Sequence, residues 1–306
     1  MIKIITTVES IEQAKKLLEA GVDELYFGQD EFGLRLPSSF DREDQEKLTK
    51  LAHEYGKTVS VAVNAILHNE DIEKLPEYLK FLKSIEVDSI TVGDPGAIHI
   101  MSKNDLLIPF RYDAQVMTTN SRQINFWKDR GAIEAVVARE LPKEEIRGIS
   151  KNSKLPIEIL VYGATCIQQS RRPILQNYFN YIKRYDKYGK ERGFFISDPN
   201  DDSTHYSIYQ DINGTHTFAN NDINMSLHLS ELVEMDISTW KFDGIFTAGD
   251  NFVEIVKLFI NAKNEILDNN WNEDKANELN EAVKKFHPKN RGMDTGFYNV
   301  DPSAIR

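Results

Sequence analysis

The sequence predicts a parallel (β/α)8 TIM-like barrel, with a long insertion after the seventh strand and a helical extension at the C-terminus. Short β-branched segments alternate with helical segments in seven successive units along the first half of the chain. Glycines at Gly21, Gly56 and Gly131 stand where helix C-caps belong. No glycine-rich phosphate turn interrupts these units, which favours a barrel over a doubly wound sheet with the same alternation.

The predicted elements follow one another in a regular order. The helical segments carry apolar residues at i, i+3 and i+4 spacing, and we predict them at 11–21, 42–56, 72–86, 97–102, 122–131 and 142–150. The strand segments are short and nearly continuous in apolar residues, as expected of strands that are covered on both faces. We predict them at 2–7, 23–28, 58–64, 89–94, 109–115, 135–138 and 157–163. The run GIFTAG, residues 244–249, is the predicted eighth strand.

The pattern changes after the seventh predicted strand. Residues 165–237 are polar and aromatic, and Asn213-Gly214 between two alternating runs is a strong hairpin signal. An excursion of this length between two barrel strands is expected to have a function of its own. We therefore predict a barrel over residues 1–260 that includes this insertion. Residues 261–306 are predicted to form a C-terminal helix and tail packed on the barrel.

Composition limits the classes of function. The 306 residues carry a formal charge of −11, from 37 basic and 48 acidic side chains. A net negative charge does not favour binding to a nucleic-acid backbone by this chain alone, because phosphate contacts require Lys or Arg side chains. Any RNA contact is therefore expected to be shared with a partner. No apolar run approaches a membrane span, the N-terminus turns acidic too early for a secretory signal, and a single cysteine excludes an internal disulfide. We expect a cytoplasmic protein.

Several kinds of local catalytic motif are absent from the sequence. It contains no phosphate-binding GxxxxGK[ST], no GxSxG nucleophile elbow and no HExxH or HxH zinc pattern. We therefore predict no metal site. In a barrel the chemistry lies at the C-terminal ends of the strands, so polar residues just after predicted strands are the candidates.

The candidate site residues share this position or lie in the insertion that follows. They are Asn64, Gln115, Arg139, Glu140, Tyr162 and Cys166, with Arg171, Arg172 and Tyr178 beyond them. Each also has a purely structural interpretation. Asn64 and Asp94 fit helix caps, Gln115 fits a barrel layer, and Arg139 with Glu140 fits an ion pair. Cys166 fits a small buried thiol, and as a nucleophile it would need a histidine base nearby in space.

Four separated motifs resemble peptidase family U-32, the collagenase-like proteins. Around the seventh strand, the hallmark of the family matches Glu158, Val161, Gly163, Cys166, Ser170 and Arg172, and Tyr162 and Pro173 stand at its histidine and last cysteine positions. The other three matches are AVVARELP (135–142), DINGTHTFANNDINM (211–225) and NRGMDTGF (290–297). The resemblance covers nearly the whole chain, and the short length is similar to that of the small subunit of a bacterial tRNA 5-hydroxyuridine system.

The resemblance implies hydroxylation of a tRNA wobble uridine with prephenate as co-substrate and an iron–sulfur cluster on four cysteines. It also implies a longer family paralogue as heterodimer partner, with tRNA bound through the complex. This chain departs from the pattern, because Pro173 replaces the second cluster cysteine, Tyr162 replaces a histidine, and Ile245 replaces an arginine. One cysteine cannot hold such a cluster alone. Cys166 is therefore interpreted as a remnant of the cluster position, and the cluster is expected only in the partner.

The resemblance leads to a set of hypothetical roles. Arg139, Glu140 and Asn64 are the candidate catalytic residues. Arg171, Arg172, Tyr178, Gln115 and Tyr162 are the candidate substrate-binding residues. Whether this chain is itself an enzyme is left open by the residues, and two alternatives stand beside the modification hypothesis. They are a collagenase-like peptidase of unassigned catalytic type and a non-catalytic scaffold subunit.

Overall fold

The computed structural model describes residues 2–304, and these form a closed barrel with an added antiparallel sheet. The strands in this part of the chain are β1 (Lys3–Thr7), β2 (Glu24–Phe27), β3 (Thr58–Ala62), β4 (Ser89–Val92), β5 (Phe110–Tyr112), β6 (Ala132–Val136), β7 (Ile157–Ser170), β8 (Phe195–Asp198), β9 (Asp201–Asp211), β10 (Gly214–Asn224), β11 (Thr239–Phe242) and β12 (Gly292–Asp294). The helices are α1 (Ile11–Ala20), α2 (Arg42–Glu54), α3 (Asn69–Ser84), α4 (Pro95–Lys103), α5 (Ser121–Lys128), α6 (Lys143–Asn152), α7 (Ile174–Tyr181), α8 (Leu229–Glu234), α9 (Gly249–Leu267) and α10 (Glu273–Phe286).

The predicted (β/α)8 barrel is confirmed by the strand pairing. Strands β1 to β7 pair in parallel in chain order, and β11 then pairs in parallel with both β7 and β1. Thr239 of β11 lies opposite Lys3 on one side and Glu158 on the other, so the sheet closes without an edge. The helices cover the outside, as the alternating pattern predicts.

Local sequence signals explain several helix ends. The Ser10 side chain accepts a hydrogen bond from the Gln13 amide at the start of α1, and Gly21 ends that helix with a φ of 101°. Asp94 caps α4 and Pro95 is its first residue, as one interpretation of that pair predicts. Asn64, in contrast, caps no helix, because α3 begins later, with His68 at its N-cap.

The predicted position of the eighth strand was wrong. The closing strand is β11, TWKF, and residues 244–248 form the turn that leads into α9, whose first residue is Gly249. Lys241 lies inside this strand, and a charged residue interrupts the apolar run by which the other strands were recognised. The structure places the lysine in the barrel interior, where it is 6% exposed.

The segment after β7 builds a second sheet above the barrel mouth. β7 continues past the barrel as far as Ser170 and pairs antiparallel with β10, which pairs with β9, which pairs with β8. β9 and β10 form a hairpin whose turn holds Ile212 and Asn213. Helix α9 spans residue 260, the predicted boundary, and the division of the chain into domains stays a prediction. No helix in the part of the chain that the structure describes is long and apolar enough to cross a membrane.

The lower half of the barrel interior is ionic rather than apolar. Arg111 is buried, and its guanidinium donates to Glu134 at 2.5 Å and to Glu24 at 2.9 Å, with Glu158 at 3.8 Å. Burial raises the pKa of Glu24, but Arg111 and Lys3 outweigh that effect and hold it below its ordinary value. This cluster forms the floor beneath the barrel mouth.

Candidate functional site

The mouth of the barrel is roofed by the loop between β2 and α2, residues 28–41. Asn213 of the hairpin donates to the carbonyl of Asp30 at 2.8 Å, and Lys190 donates to the carbonyl of Leu36 at 2.5 Å. Arg35, in this loop, has a φ of 54°, a conformation that non-glycine residues rarely adopt. Its guanidinium donates to the Gln169 side chain at 2.7 Å. The insertion therefore fixes the loop that carries Arg35 over the barrel.

Beneath this roof lie two adjoining cavities, of about 50 and 60 Å³. Both are lined by Arg35, Asp113, Val136 and Arg139. The inner cavity is also lined by Tyr26, Leu34, Asn64, Thr91, Glu158, Phe218, Lys241 and Asp243. The outer cavity is also lined by Gln115, Val137, Glu140, Thr165 and Cys166. Each exceeds the space that one water molecule requires, so together they can hold a small polar ligand.

Lys241 projects into the inner cavity without a counter-ion. Its Nζ lies 3.1 Å from the centroid of the Tyr26 ring, and no hydrogen bond or ion pair reaches it from residues 2–304. Burial lowers the pKa of Lys241 to about 8, although the carboxylates of Glu158 and Asp243 act in the opposite direction. A lysine in this state exchanges its proton near neutral pH.

The acidic groups beside the lysine have raised pKa values. Burial raises the pKa of Glu158 above its ordinary value, despite the opposing charges of Lys241 and Arg111. Burial likewise raises the pKa of Asp243, which Arg139 and Lys241 only partly offset. These carboxyl groups can therefore hold or release a proton inside the cavity, in contrast to exposed carboxylates.

The two arginines at the mouth have free hydrogen-bonding capacity. Arg139 donates to the carbonyl of Ala164 at 2.7 Å, and the Oδ2 atom of Asp243 lies 3.9 Å from its Nη2. The interpretation of Arg139 and Glu140 as an ion pair is not supported, because Arg139 is directed towards Asp243 instead. Arg35 has no ion-pair partner within the described residues. A guanidinium that keeps unused donors beside a cavity is suited to a carboxylate.

Asn64 connects the roof to the barrel wall. Its Oδ1 accepts a hydrogen bond from the Leu34 amide at 3.0 Å, and its Nδ2 donates to Asp113 at 3.0 Å. Asn64 therefore holds the neighbour of Arg35 in place and also fixes Asp113 at the cavity wall. Its position at the end of β3 was identified from the sequence, but its structural interpretation as a helix cap was wrong.

Cys166 has a histidine neighbour that is distant in sequence. His216 is fully buried, its Nε2 lies 2.9 Å from Asp211 Oδ1, and its Nδ1 has no hydrogen-bond partner among the described residues. Burial raises the pKa of the Cys166 thiol, but its interaction with His216 and the charge of Arg35 lower it below the ordinary value. The Cys166 thiol itself donates to the carbonyl of Gln168 at 3.3 Å. The imidazole of His216 therefore interacts with both a thiol and a carboxylate, and the thiol lines the outer cavity.

The structure brings together five of the nine predicted site residues. Asn64, Gln115, Arg139, Glu140 and Cys166 all line the cavities. The other four do not. Tyr162 is buried behind the mouth, where its hydroxyl contacts Thr247 at 3.0 Å and His287 at 2.8 Å. Arg171, Arg172 and Tyr178 are exposed on the outside of the insertion.

Sequence reasoning missed four residues of the site. Lys241 belongs to a strand whose position was predicted wrongly, and Asp243 is the residue directly after that strand. Arg35 lies in a loop without a motif. His216 is 50 residues after Cys166 and approaches it only because β10 pairs with β7, with Phe218 opposite Cys166. A histidine and an aspartate five residues apart at a predicted hairpin were the only available signal.

The residues present do not fit an iron–sulfur cluster held by this chain alone. Cys166 is the single cysteine, and its nearest polar neighbours are an imidazole and a backbone carbonyl. Within residues 2–304 there is also no group of three or more histidine, cysteine, aspartate or glutamate side chains arranged to hold a metal ion. No chemical step of the site is therefore assigned to a metal or cluster bound by this chain.

Comparison with known proteins gives a consistent result. Residues 9–306 match the model of peptidase family U32. The chain is 34% identical to tRNA hydroxylation protein P2 of Bacillus subtilis, and the similarity covers 97% of both chains. It is 24% identical to tRNA hydroxylation protein P1 of the same organism, over 98% of this chain and 71% of that protein. It is 27% identical to an uncharacterized protease of Methanocaldococcus jannaschii, over 98% of this chain and 74% of that protein.

Proposed function

This chain belongs to peptidase family U32, and from that membership and the geometry of the cavity we propose that it is a subunit of a tRNA-hydroxylating system. The observation that carries the proposal is the similarity to tRNA hydroxylation protein P2, which extends over almost the full length of both chains. The proposed product is 5-hydroxyuridine at the wobble position. The proposed compartment is the cytoplasm, where this RNA is modified.

The cavity supports a role for this chain in binding a small anionic co-substrate. Arg35 and Arg139 present guanidinium groups at its mouth, and Lys241 adds a further cation at its base. This arrangement suits a dicarboxylate such as prephenate, because a guanidinium pairs with a carboxylate in a two-pronged geometry. In this proposal Asn64 orients the ligand through Asp113, and Gln115 and Glu140 line its outer part.

The proposed partner is a longer U32 paralogue. Bacillus subtilis has two tRNA hydroxylation proteins similar to this chain, and the alignment with P1 leaves more than a quarter of that protein uncovered. An iron–sulfur cluster would belong to this partner, since this chain has one cysteine. The proposed assembly is therefore a heterodimer in which the two chains differ in length and in cofactor.

One segment of this chain is suited to meet the RNA. Residues 171–192, which include α7, carry seven basic and two acidic side chains, against the net −11 of the whole chain. Tyr181 and Tyr185 are 86% and 92% exposed in the same segment. Basic side chains pair with phosphates and aromatic rings stack on unpaired bases, such as those of an anticodon loop. Arg171, Arg172 and Tyr178 have their proposed role here rather than in the cavity.

The test is the nucleoside composition of tRNA from a strain that lacks this gene, measured by mass spectrometry. We expect 5-hydroxyuridine and its derivatives to be lost and to return when the wild-type gene is supplied. Supply of Arg139→Met should restore less than about a tenth of the modification, if loss of the guanidinium costs more than about 1.4 kcal/mol of ligand binding. Arg147→Met, which changes an exposed arginine of α6, is the matched control and should restore it fully.

The outcomes separate the hypotheses. Full restoration by Arg139→Met would leave the chain as a scaffold subunit with no ligand of its own. An unchanged nucleoside profile in the deletion strain, and in a strain that also lacks the longer paralogue, would refute the tRNA hydroxylation proposal. Restoration that requires the longer paralogue would support the heterodimer.

A specific observation favours a second candidate function, that of a thiol peptidase. Cys166, His216 and Asp211 supply a nucleophile, a base and an orienting carboxylate, the roles found in cysteine peptidases. Hydrolysis of a denatured collagen substrate that is abolished by Cys166→Ser would support it. Hydrolysis that persists in Cys166→Ser would exclude Cys166 as the nucleophile and refute the thiol peptidase.

A further inference from the structure

Lys241 is buried but has no ion pair to a described residue, in contrast to the other buried lysine, Lys263. Lys263, which is also mostly buried, pairs with Asp23 at 2.7 Å, and Lys3 pairs with Glu24 at 2.6 Å. The Nζ atom of Lys241 lies 3.1 Å from the centroid of the Tyr26 ring and faces the cavity, and the carboxyl groups of Glu158 and Asp243 act on it without a hydrogen bond or ion pair. A buried ammonium without a carboxylate partner is costly, so the arrangement favours a neutral amine or the arrival of a ligand.

The surroundings of the lysine keep part of it unprotonated. With a pKa of about 8, about a tenth of the side chain is neutral at pH 7, far more than for a free lysine. A neutral amine is a nucleophile towards carbonyl carbon. Glu158, whose pKa burial raises, lines the same cavity and can supply the proton that the reaction requires.

The two ends of the cavity differ chemically: the amine of Lys241 lies at its base, and the guanidinium groups of Arg35 and Arg139 lie at its mouth. Arg139 and Arg35 line the inner cavity above Lys241, and both keep donors that no described residue uses. A ligand that fills this space would place a carboxylate at the arginines and a reactive carbon at the lysine. A carbonyl next to a carboxylate meets both requirements at the short distance that the cavity allows.

We propose that Lys241 is a catalytic residue that forms an imine with a 2-oxo acid whose carboxylate is held by Arg35 and Arg139. The neutral Nζ adds to the carbonyl carbon, the electron pair of the C=O double bond moves to the oxygen, and that oxygen takes up the proton that the nitrogen loses. The hydroxyl of this carbinolamine takes a second proton, from Glu158, and leaves as water, so that the nitrogen lone pair forms a protonated imine. No oxidant or reductant is consumed, and one water is released for each imine formed. The inference rests on the proposed function only in using the same cavity.

The test is reductive trapping without RNA, so that its failure is distinct from failure of the tRNA proposal. The purified chain is incubated with pyruvate or phenylpyruvate, reduced with borohydride and mapped by peptide mass spectrometry. We expect the reduced adduct on the peptide that contains Lys241, with a yield that rises as pH increases through about 8. Lys263, which is buried but ion-paired, is the internal control and should stay unlabelled.

Three variants sharpen the result. Lys241→Arg keeps the positive charge but cannot form an imine, and it should abolish labelling. Arg139→Met should lower the yield at limiting pyruvate by about tenfold, the effect of losing about 1.4 kcal/mol of carboxylate binding. Arg147→Met should leave the yield unchanged. Labelling spread over surface lysines, labelling undiminished in Lys241→Arg, or no adduct with either acid on the folded wild-type chain would overturn the proposal.

Discussion

At the level of single residues, the barrel mouth shifts ionisable groups away from their ordinary behaviour. Burial lowers the pKa of Lys241 to about 8 and raises the pKa of Glu158 above its ordinary value, so the two shifts bring the amine and the carboxyl group closer together in pKa. At the outer edge the thiol of Cys166 is shifted in the opposite sense to that expected from burial alone, because His216 and Arg35 favour the thiolate. Such clustered shifts are typical of functional sites.

The thiol provides a prediction that depends on pH. Alkylation of Cys166 by iodoacetamide should begin at a lower pH than alkylation of free cysteine, because its pKa lies below the ordinary value. His216→Asn removes the partner that contributes most to this effect and should move the profile to higher pH. The measurement is the rate of alkylation against pH, followed by intact mass. A profile identical in the two proteins would exclude an interaction of functional size between the thiol and the imidazole.

At the level of elements, the strands of this barrel carry charged residues where apolar layers are expected. Arg111 on β5 reaches Glu24 on β2 and Glu134 on β6, and so connects strands from opposite parts of the barrel. The inward side chains of a barrel are usually bulky and apolar. Here an ionic floor separates the cavity from the lower end of the barrel, and the ligand space is closed from below.

The ionic floor predicts a large loss of stability on substitution. Arg111→Met leaves Glu24 and Glu134 buried without their main cation and should lower the free energy of unfolding by about 3–5 kcal/mol. Urea denaturation followed by circular dichroism measures the change. Arg147→Met alters an exposed arginine and should stay within about 0.5 kcal/mol of the wild type. Equal stability of both variants would mean that the cluster is hydrated or protonated rather than paired.

Gly163 provides a second prediction at this scale, because it is the point where β7 leaves the barrel. It has a φ of 130°, and a Cβ there would overlap the carbonyl oxygen of Asp243. Gly163→Ala should destabilise the chain by roughly 1–3 kcal/mol and displace the turn that carries Asp243. Gly148→Ala, in helix α6 where a Cβ meets nothing within 4 Å, is the matched control and should be neutral or stabilising. Urea denaturation of the two variants distinguishes a local backbone requirement from a general effect of added volume.

Most of the barrel could be predicted from the periodicity of apolar residues in the sequence. The features that could not be predicted in this way involve ionisable residues. The alternation of apolar runs predicted seven of the eight barrel strands, six of them with a first residue within one position of the observed one, whereas β6 begins three residues earlier than predicted. The closing strand β11 was predicted too late in the sequence, because Lys241 interrupts its apolar pattern. The residues at strand ends, such as Asn64 and Arg139, were predicted because a barrel places them at one face. Arg35 and His216 reach the mouth through loop conformation and antiparallel pairing, which have no periodic signature in the sequence.

At the level of the whole molecule, charge is distributed unevenly. The chain as a whole is acidic, whereas residues 171–192 are basic and aromatic and carry the exposed Tyr181 and Tyr185. An acidic body discourages non-specific RNA binding, and a single basic segment limits contact to one orientation. This distribution fits a subunit that contributes a small part of a shared RNA surface.

Substitution of the exposed tyrosines tests whether residues 171–192 contact RNA. The double variant Tyr181→Ser, Tyr185→Ser should weaken tRNA binding by the complex with the longer paralogue, since each stacked base contributes about 1–3 kcal/mol. Binding measured by fluorescence anisotropy at fixed salt should fall by more than about tenfold, while imine trapping at Lys241 should be unchanged. Tyr55→Ser is the control, because Tyr55 is an exposed tyrosine at the end of α2, outside the basic segment. Unchanged RNA affinity in the double variant would assign this segment to protein contacts instead.

The closing strand has a consequence for synthesis of the protein on the ribosome. β11 is the last strand of the barrel to be translated, yet it must insert between β1 and β7, and it is also the strand that delivers Lys241. A growing chain that ends before residue 239 therefore holds an open sheet with two unpaired edges, which invites aggregation or chaperone binding. It also holds no amine in the mouth. Lys241 enters the cavity when β11 closes the barrel. An incomplete chain therefore exposes strand edges but does not yet have the lysine amine in its cavity.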